Sequence, residues 1–224
     1  MQFSAAKIYS GPIEMGDKYE LATITGIDES PIQPPWVPPN VHWEIDDVTK
    51  PWLANSNSID FVHIRSMEGA IKDWPALLTE AYRVLKPGGK IEVTNVVLRF
   101  SCIDGTLKED SKTLEWERSF HRYTKEFQLG DFNPSPKMNG WLVQAGFKDV
   151  ADLKKALPCG PWPKNARLKN IGKYHLSQLL DGAVENYSIR LFTLAGWNIT
   201  ETHVMCAEVR NELRNPRIHT FTHG

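Results

Sequence analysis

The chain has 224 residues, 26 Lys and Arg against 27 Asp and Glu, and a formal net charge of −1. Its basic residues are scattered, so it lacks the electrostatic footprint of a nucleic-acid binder. With 41% apolar and 24% charged residues, it suits one soluble domain with a substantial core. No stretch approaches the length of a membrane span, and MQFSAAKIYSGP has no apolar leader region. Cys102, Cys159 and Cys206 are far apart and form no C-x-x-C pair, which argues against zinc and favours a reduced, cytoplasmic setting.

Residues 1–16 hold two glycines, Gly11 and Gly16, with Pro12 directly after the first, and 13–20 read as an opening helix. Residues 21–27 (LATITGI) read as a strand ending at Asp28. Pro31, Pro34, Pro35, Pro38 and Pro39 make 30–40 a stiff connector that no helix can cross. Residues 41–45 form a short strand followed by Asp46 and Asp47. The stretch 61–97 then reads as strand, loop, helix, tight turn and strand. Its first strand is 61–65. Trp74 and Pro75 open the helix, because a proline in the first turn lacks only an N–H that would be orphaned there. Ala76, Leu77, Ala81, Tyr82, Val84 and Leu85 give it an apolar stripe, and Lys86-Pro87-Gly88-Gly89 stops it. The next strand, 91–98, is nearly all apolar or β-branched. Such a βαβ unit implies a parallel sheet with a ligand crevice at the carboxyl ends of its strands.

Beyond it, a helix over 111–127 carries Leu114, Trp116, Phe120, Tyr123 and Phe127. Prolines 134 and 136 precede a helix over 137–145, capped by Gly146. A strand over 147–153, a proline-rich loop over 157–164 with Cys159 and Trp162, and an amphipathic helix over 171–183 with Tyr174 and His175 follow. A helical face over 188–194 and a last helix over 201–214 complete the order.

Five phrases in this order resemble the class I S-adenosylmethionine (SAM) methyltransferase fold, and more narrowly its fungal LaeA-like (UMTA) group. They are SPIQPPWVPPNVHWEIDD (30–47), HIRSMEGAIKDWPALLTEAYRVLKPGG (63–89), GFKDV (146–150), LPCGPWPKN (157–165) and EVRNELRNPRIHTF (208–221). The resemblance implies an α/β, Rossmann-like methyltransferase fold over 1–224 as a single domain, with 100–190 forming a helical lid over the acceptor pocket. It also implies cofactor contacts at Gly11, Asp28, Asp46 and Asp47 if SAM is bound. A carboxylate at the end of the second strand suits two vicinal hydroxyl donors, although each Asp here could equally cap a turn.

The departures from that pattern matter as much. The family begins with a strand running into an acidic turn of the form D-x-G-x-G-x-G, whereas this chain offers AAKIYSGPIEMG. Proline removes a donor where bare backbone should grip a nucleotide. The expectation is a truncated fold, with the first strand and its loop, and the last strand, degenerate or missing. An exposed sheet edge then calls for cover, and a homodimer would supply it.

No G-x-S-x-G elbow or H-E-x-x-H pair supports hydrolase or metal chemistry. His63, near the end of its strand, is the candidate acid, base or donor, with Arg65 and Glu68 rimming the same crevice. Trp116, Phe120, Tyr123, Trp162, Tyr174 and His175 are the candidate substrate pocket, within a chain holding 8 Trp, 9 Phe and 6 Tyr that could fold a flexible apolar molecule. The favoured reading is therefore a methyltransferase-fold enzyme of fungal secondary metabolism with no cofactor. It would bind an apolar polyene or terpenoid and cyclise it, as in an intramolecular Diels–Alder reaction, through preorganisation. The alternatives are a SAM-dependent small-molecule methyltransferase with a degenerate first motif, and a non-catalytic regulatory partner. Neither nucleic acid nor membrane is expected as a partner.

Overall fold

A computed structural model of the chain describes residues 2–6, 10–31 and 33–224, with side chains from Gly11 onward. The chain divides into two compact units, Met1–Asn95 with Pro134–Asp152, and Val96–Asn133 with Leu153–Gly224.

The first unit is built on a five-stranded, all-parallel sheet. Its strands are β1 (Gln2–Ala6), β2 (Thr23–Asp28), β3 (Val41–Ile45), β4 (Ile59–Arg65) and β5 (Leu85–Thr94), in the spatial order β3-β2-β1-β4-β5. β1 pairs with β2 from Gln2↔Thr23 to Ala6↔Ile27 and with β4 from Phe3↔Phe61 to Ala6↔Ile64. The first strand, expected to be degenerate or missing, is thus present at the centre of the sheet. At about 3.3 Å per residue, five residues are enough to span it. The edge that an absent first strand would have left is not formed, and the outer strands of this sheet are β3 and β5.

Helix α1 (Ser10–Lys18) packs on β2 and β3. A Cβ on Gly16 would lie 2.5 Å from Val41 Cγ2, so glycine there lets the helix approach the strand. The Asn40 amide donates to the carbonyls of Gly16, Tyr19 and Ala22 at 3.2, 3.1 and 3.0 Å, fixing the end of α1 to the start of β3. On β2, Gly26 leaves room for its register partner Trp43; a Cβ would stand 2.4 Å from the indole. Helix α2 (Trp74–Val84) is capped by Asp73, which accepts from Ala76 N at 3.0 Å. It buries Trp74, Leu77, Leu78, Ala81 and Val84 in one cluster with Val62 and Ile64 of β4. Arg83 reaches back to the carbonyls of Trp52 and Ala54, both at 3.0 Å, and pins the loop before β4.

The strand expected over 147–153 does not form. Phe147 and Val150 instead pack against the core of the first unit, beyond helix α4 (Ser135–Ala145) and its left-handed cap Gly146. Residues 151–155 are exposed and irregular.

The second unit contains strand β6 (Val97–Ser101), helix α3 (Lys112–Glu126), strand β7 (Ala156–Pro158), helices α5 (Ala166–Gln178), α6 (Val184–Leu194) and α7 (Ile199–Arg214), and strand β8 (Phe221–His223). β8 lies antiparallel between β6 and β7, so the last strand expected to be missing is present in short form. The helix expected over 171–183 is α5 followed by a π turn, Leu179–Ala183, where Gly182 adopts φ 149°. Trp116, Phe120, Val184, Phe192 and Val209 form the centre of this unit's core. Glu212 of α7 caps α3: its carboxylate accepts from Lys112 N and Thr113 N, both at 2.8 Å, and from Thr113 Oγ1 at 2.9 Å. A negative charge is favourable at a helix N-terminus, and it satisfies donors the helix cannot.

Two stability effects follow from this packing. Glu212→Ala should cost about 2 kcal/mol in urea unfolding, whereas Glu208→Ala, which removes only the exposed pair with Lys112, should cost less than about 1 kcal/mol. Gly26→Ala should destabilise by about 1–3 kcal/mol by displacing Trp43, and an unchanged midpoint would show that the indole does not lie over β2.

Candidate site at the carboxyl ends of the parallel strands

Because β1 to β5 all run the same way, their carboxyl ends share one edge. The chain order reverses at β1, with β2 and β3 on one side and β4 and β5 on the other, and ligands of open parallel sheets bind at such a reversal. Asp28 ends β2, and its Oδ1 accepts from Ser30 N at 2.9 Å. Asp46 follows β3, and its N–H donates to the Asp28 carbonyl at 3.2 Å. Its Oδ1 accepts from Asp47 N at 2.8 Å. Asp47 is committed locally: Oδ1 accepts from Thr49 N at 2.9 Å and Thr49 Oγ1 at 2.6 Å. The Thr49 bonds, with Lys50 nearby, hold its carboxyl below the usual carboxylate range. Gly11 sits in the first turn of α1 with open space where a Cβ would be. Of the stretch that stands in place of the family's glycine-rich turn, residues 5–16, the first two end β1 and 10–16 belong to α1, while residues 7–9 lie outside the described residues.

On the other side of β1, Arg65 ends β4 and is exposed. Ser66 takes a left-handed φ of 53°, and its N–H donates to the Thr94 carbonyl at 2.9 Å. Glu68 follows in the same turn, half-buried. Asn95, 7% exposed, stands just past β5. In the amide orientation its surroundings require, its NH2 donates to Glu68 Oε2 at 3.0 Å and to the Thr94 carbonyl at 3.3 Å. The sequence reading did not single out Asn95; its only signal was a polar residue at the end of an apolar strand.

His63 is set back from this edge. It pairs in register with Ala5 and Glu92, two residues before Arg65, and its ring centroid lies 6.3 Å from that of Phe61. Nε2 is buried without a partner. Burial lowers its pKa, the Arg65 charge adds to that effect, and Glu92 opposes it.

The structure gathers Asp28, Asp46, Asp47, Arg65 and Glu68 at one sheet edge, but it does not gather the six expected pocket residues around one cavity. Trp116, Phe120 and Tyr123 fill the core of the second unit. Trp116 Nε1 donates to Ser188 Oγ at 2.6 Å, and Tyr123 OH accepts from Trp197 Nε1 at 2.7 Å. Trp162 stacks on His219 at 5.2 Å and donates to the Thr220 carbonyl at 2.9 Å. Tyr174 is 77% exposed, and His175 Nδ1 donates to the Pro158 carbonyl at 3.1 Å, with burial lowering its pKa. Cys159, beside it, has its thiol pushed up to about 12 by burial, which leaves it inert near neutrality.

Among the described residues no group of three or more His, Cys, Asp or Glu could hold a metal ion, and no helix is long and apolar enough to cross a membrane. A nucleoside offers the vicinal hydroxyls and exocyclic amine that Asp28 and Asp46 can accept from, so the acceptor set of this edge fits the nucleoside half of SAM.

A Rossmann-like parallel sheet with acidic residues at the ends of its second and third strands is the SAM-methyltransferase class of fold. Residues 12–152 match the family described as "Methyltransferase domain", and the chain belongs to it. It is 37% identical over 213 residues to the methyltransferase pytC of Aspergillus terreus, covering 93% of this chain and 64% of that protein. To the secondary metabolism regulator LAE1 of Cochliobolus heterostrophus it is 30% identical over 221 residues, covering 93% and 69%. Among solved structures, the 4+2 cyclase SpnF shares the fold with a TM-score of 0.52 at 15% identity, over 99% of this chain and 74% of that one. The chain thus spans about two thirds of the length of the curated relatives it matches.

NMR titration should give the His63 ring a midpoint below its ordinary 6.5. The unfolded chain then takes up the proton first, so the His63 contribution to stability is present above about pH 6.5 and is lost as pH falls below it. His63→Phe should flatten the acid limb of the stability profile, leaving the slope from His175, whose pKa is lowered in the same sense. A midpoint above 6.5 would mean that Glu92 outweighs burial.

Proposed function

We propose that this chain is the methyltransferase domain of a fungal secondary-metabolism enzyme that methylates a small molecule with SAM. The observation that carries this reading is the pair of carboxylates, Asp28 and Asp46, at the ends of adjacent strands β2 and β3 beside a central β1. The name methyltransferase borne by pytC supports the reaction class, and the words secondary metabolism in the name of LAE1 support the setting.

When bound, SAM supplies an electrophilic methyl group. The chain's own residues bind and orient. Asp28 has one carboxylate oxygen beyond its turn bond to accept from ribose hydroxyls, and Asp46 likewise has one for the adenine amine. Arg65, at the end of β4, is placed to orient the acceptor, and His63, set back from the edge and kept neutral by burial, lies behind it. Alignment of a methyl with its nucleophile needs little more.

One observation favours the cofactor-free reading. Pro12 offers no N–H, and Gly16, the other glycine of the opening stretch, is committed to packing on Val41. On that reading an apolar polyene or terpenoid is cyclised by preorganisation alone, and the shared fold of SpnF supports it at the level of architecture.

Calorimetry with SAM and with S-adenosylhomocysteine separates the two. Micromolar binding, weakened about tenfold or more by Asp28→Ala, is the expected result. Silence from a well-folded sample would contradict it. Accelerated closure of a linear polyene over the rate in buffer, abolished by His63→Ala, would then favour the cyclase.

A further inference from the structure

We infer that Glu68, held in place by Asn95, is the anionic group that faces the sulfonium of SAM; this rests on the methyltransferase reading above. The cofactor has two chemically distinct ends. Its nucleoside offers hydrogen-bond donors, which suit Asp28 and Asp46 on the β2–β3 side of the reversal. Its sulfonium can neither donate nor accept a hydrogen bond, so only charge can select it. The β4–β5 side of the same reversal carries one half-buried carboxylate in the turn that directly follows β4, the strand next to β1: Glu68.

That carboxylate is fixed before any ligand arrives. Asn95 is 7% exposed and donates to Glu68 Oε2 at 3.0 Å, while its second contact, to the Thr94 carbonyl at 3.3 Å, ties the amide to the end of β5. Ser66, at φ 53°, is held by its own N–H bond to the same Thr94 carbonyl. A left-handed serine is a conformation that surroundings must enforce, and here it fixes the path of the chain into the turn that carries Glu68. A preoriented charge interacts with a cation without the cost of reorganising at the moment of binding. Asn95 is a positioning residue in this arrangement, because it acts through Glu68.

The test compares ligands that differ at the sulfur position. SAM carries a positive sulfonium there, S-adenosylhomocysteine a neutral thioether, and sinefungin a protonated amine nearby. By calorimetry the wild-type chain should bind SAM and sinefungin more tightly than S-adenosylhomocysteine. Glu68→Gln keeps the shape and should weaken SAM by about tenfold while moving S-adenosylhomocysteine less than about twofold. Asn95→Leu should shift the ratio in the same direction by a smaller factor, since it removes one contact that positions the carboxylate without removing the charge. Losses equal for all three ligands, or an unchanged ratio, would overturn the inference and leave the methyltransferase reading standing. Wild-type silence toward every ligand would instead sink that reading, and this inference with it. Should either variant fail to fold on a thermal melt, the wild-type preference decides: tighter binding of the neutral thioether than of both cations contradicts a facing carboxylate.

Discussion

The structure of the first unit depends on backbone hydrogen bonds made by five residues. Gln2–Ala6 pairs in parallel on both sides, with β2 and with β4. Without it, β2 and β3 would form one two-stranded ribbon and β4 and β5 another, and a two-stranded piece of sheet is marginal on its own. The same strand sets the point where chain order reverses. It therefore determines that Asp28 and Asp46 fall on one side of the site and Arg65 and Glu68 on the other.

Local hydrogen bonding then sorts the acidic residues at that edge. Asp47 spends its Oδ1 on both the amide and the hydroxyl of Thr49, so it closes a turn. Asp28 and Asp46 each use one oxygen in a turn and so keep acceptor capacity. Glu68 differs, because it accepts from the side chain of a buried residue, Asn95, that directly follows another strand, β5. The turns build the edge, and the cross-strand contact fixes a charge upon it.

Elements with strong local chemistry were legible in the sequence. β3 forms as expected from its β-rich residues between prolines and aspartates, and α2 from Trp74, Pro75 and its apolar stripe, with the Asp73 cap visible only in the structure. α4 stops at Gly146 as its left-handed cap requires. β1 was not legible, because glutamine, serine and two alanines carry little strand preference, and pairing from both sides supplies what propensity does not. The strand expected over 147–153 was misread for the converse reason: Phe147 and Val150 are apolar because they pack against the core of the first unit, with Tyr82 of α2 meeting Phe147 edge-on at 5.1 Å. Trp116, Phe120 and Tyr123 show the limit of an aromatic stripe as evidence, since the spacing that would line a pocket is also that which fills a helix-bundle core. Asn95 could not be found from sequence, because its role comes from the register of β5 against β4.

The central claim is that residues 2–6 are the middle strand of the sheet. Amide hydrogen exchange tests it most directly. The account predicts that the amides of Gln2–Ala6 are protected to the same degree as those of Ile59–Arg65, since both strands open only when the sheet does. Rapid exchange in 2–6 while β4 stays protected would contradict it, and with it the single edge on which the site is built.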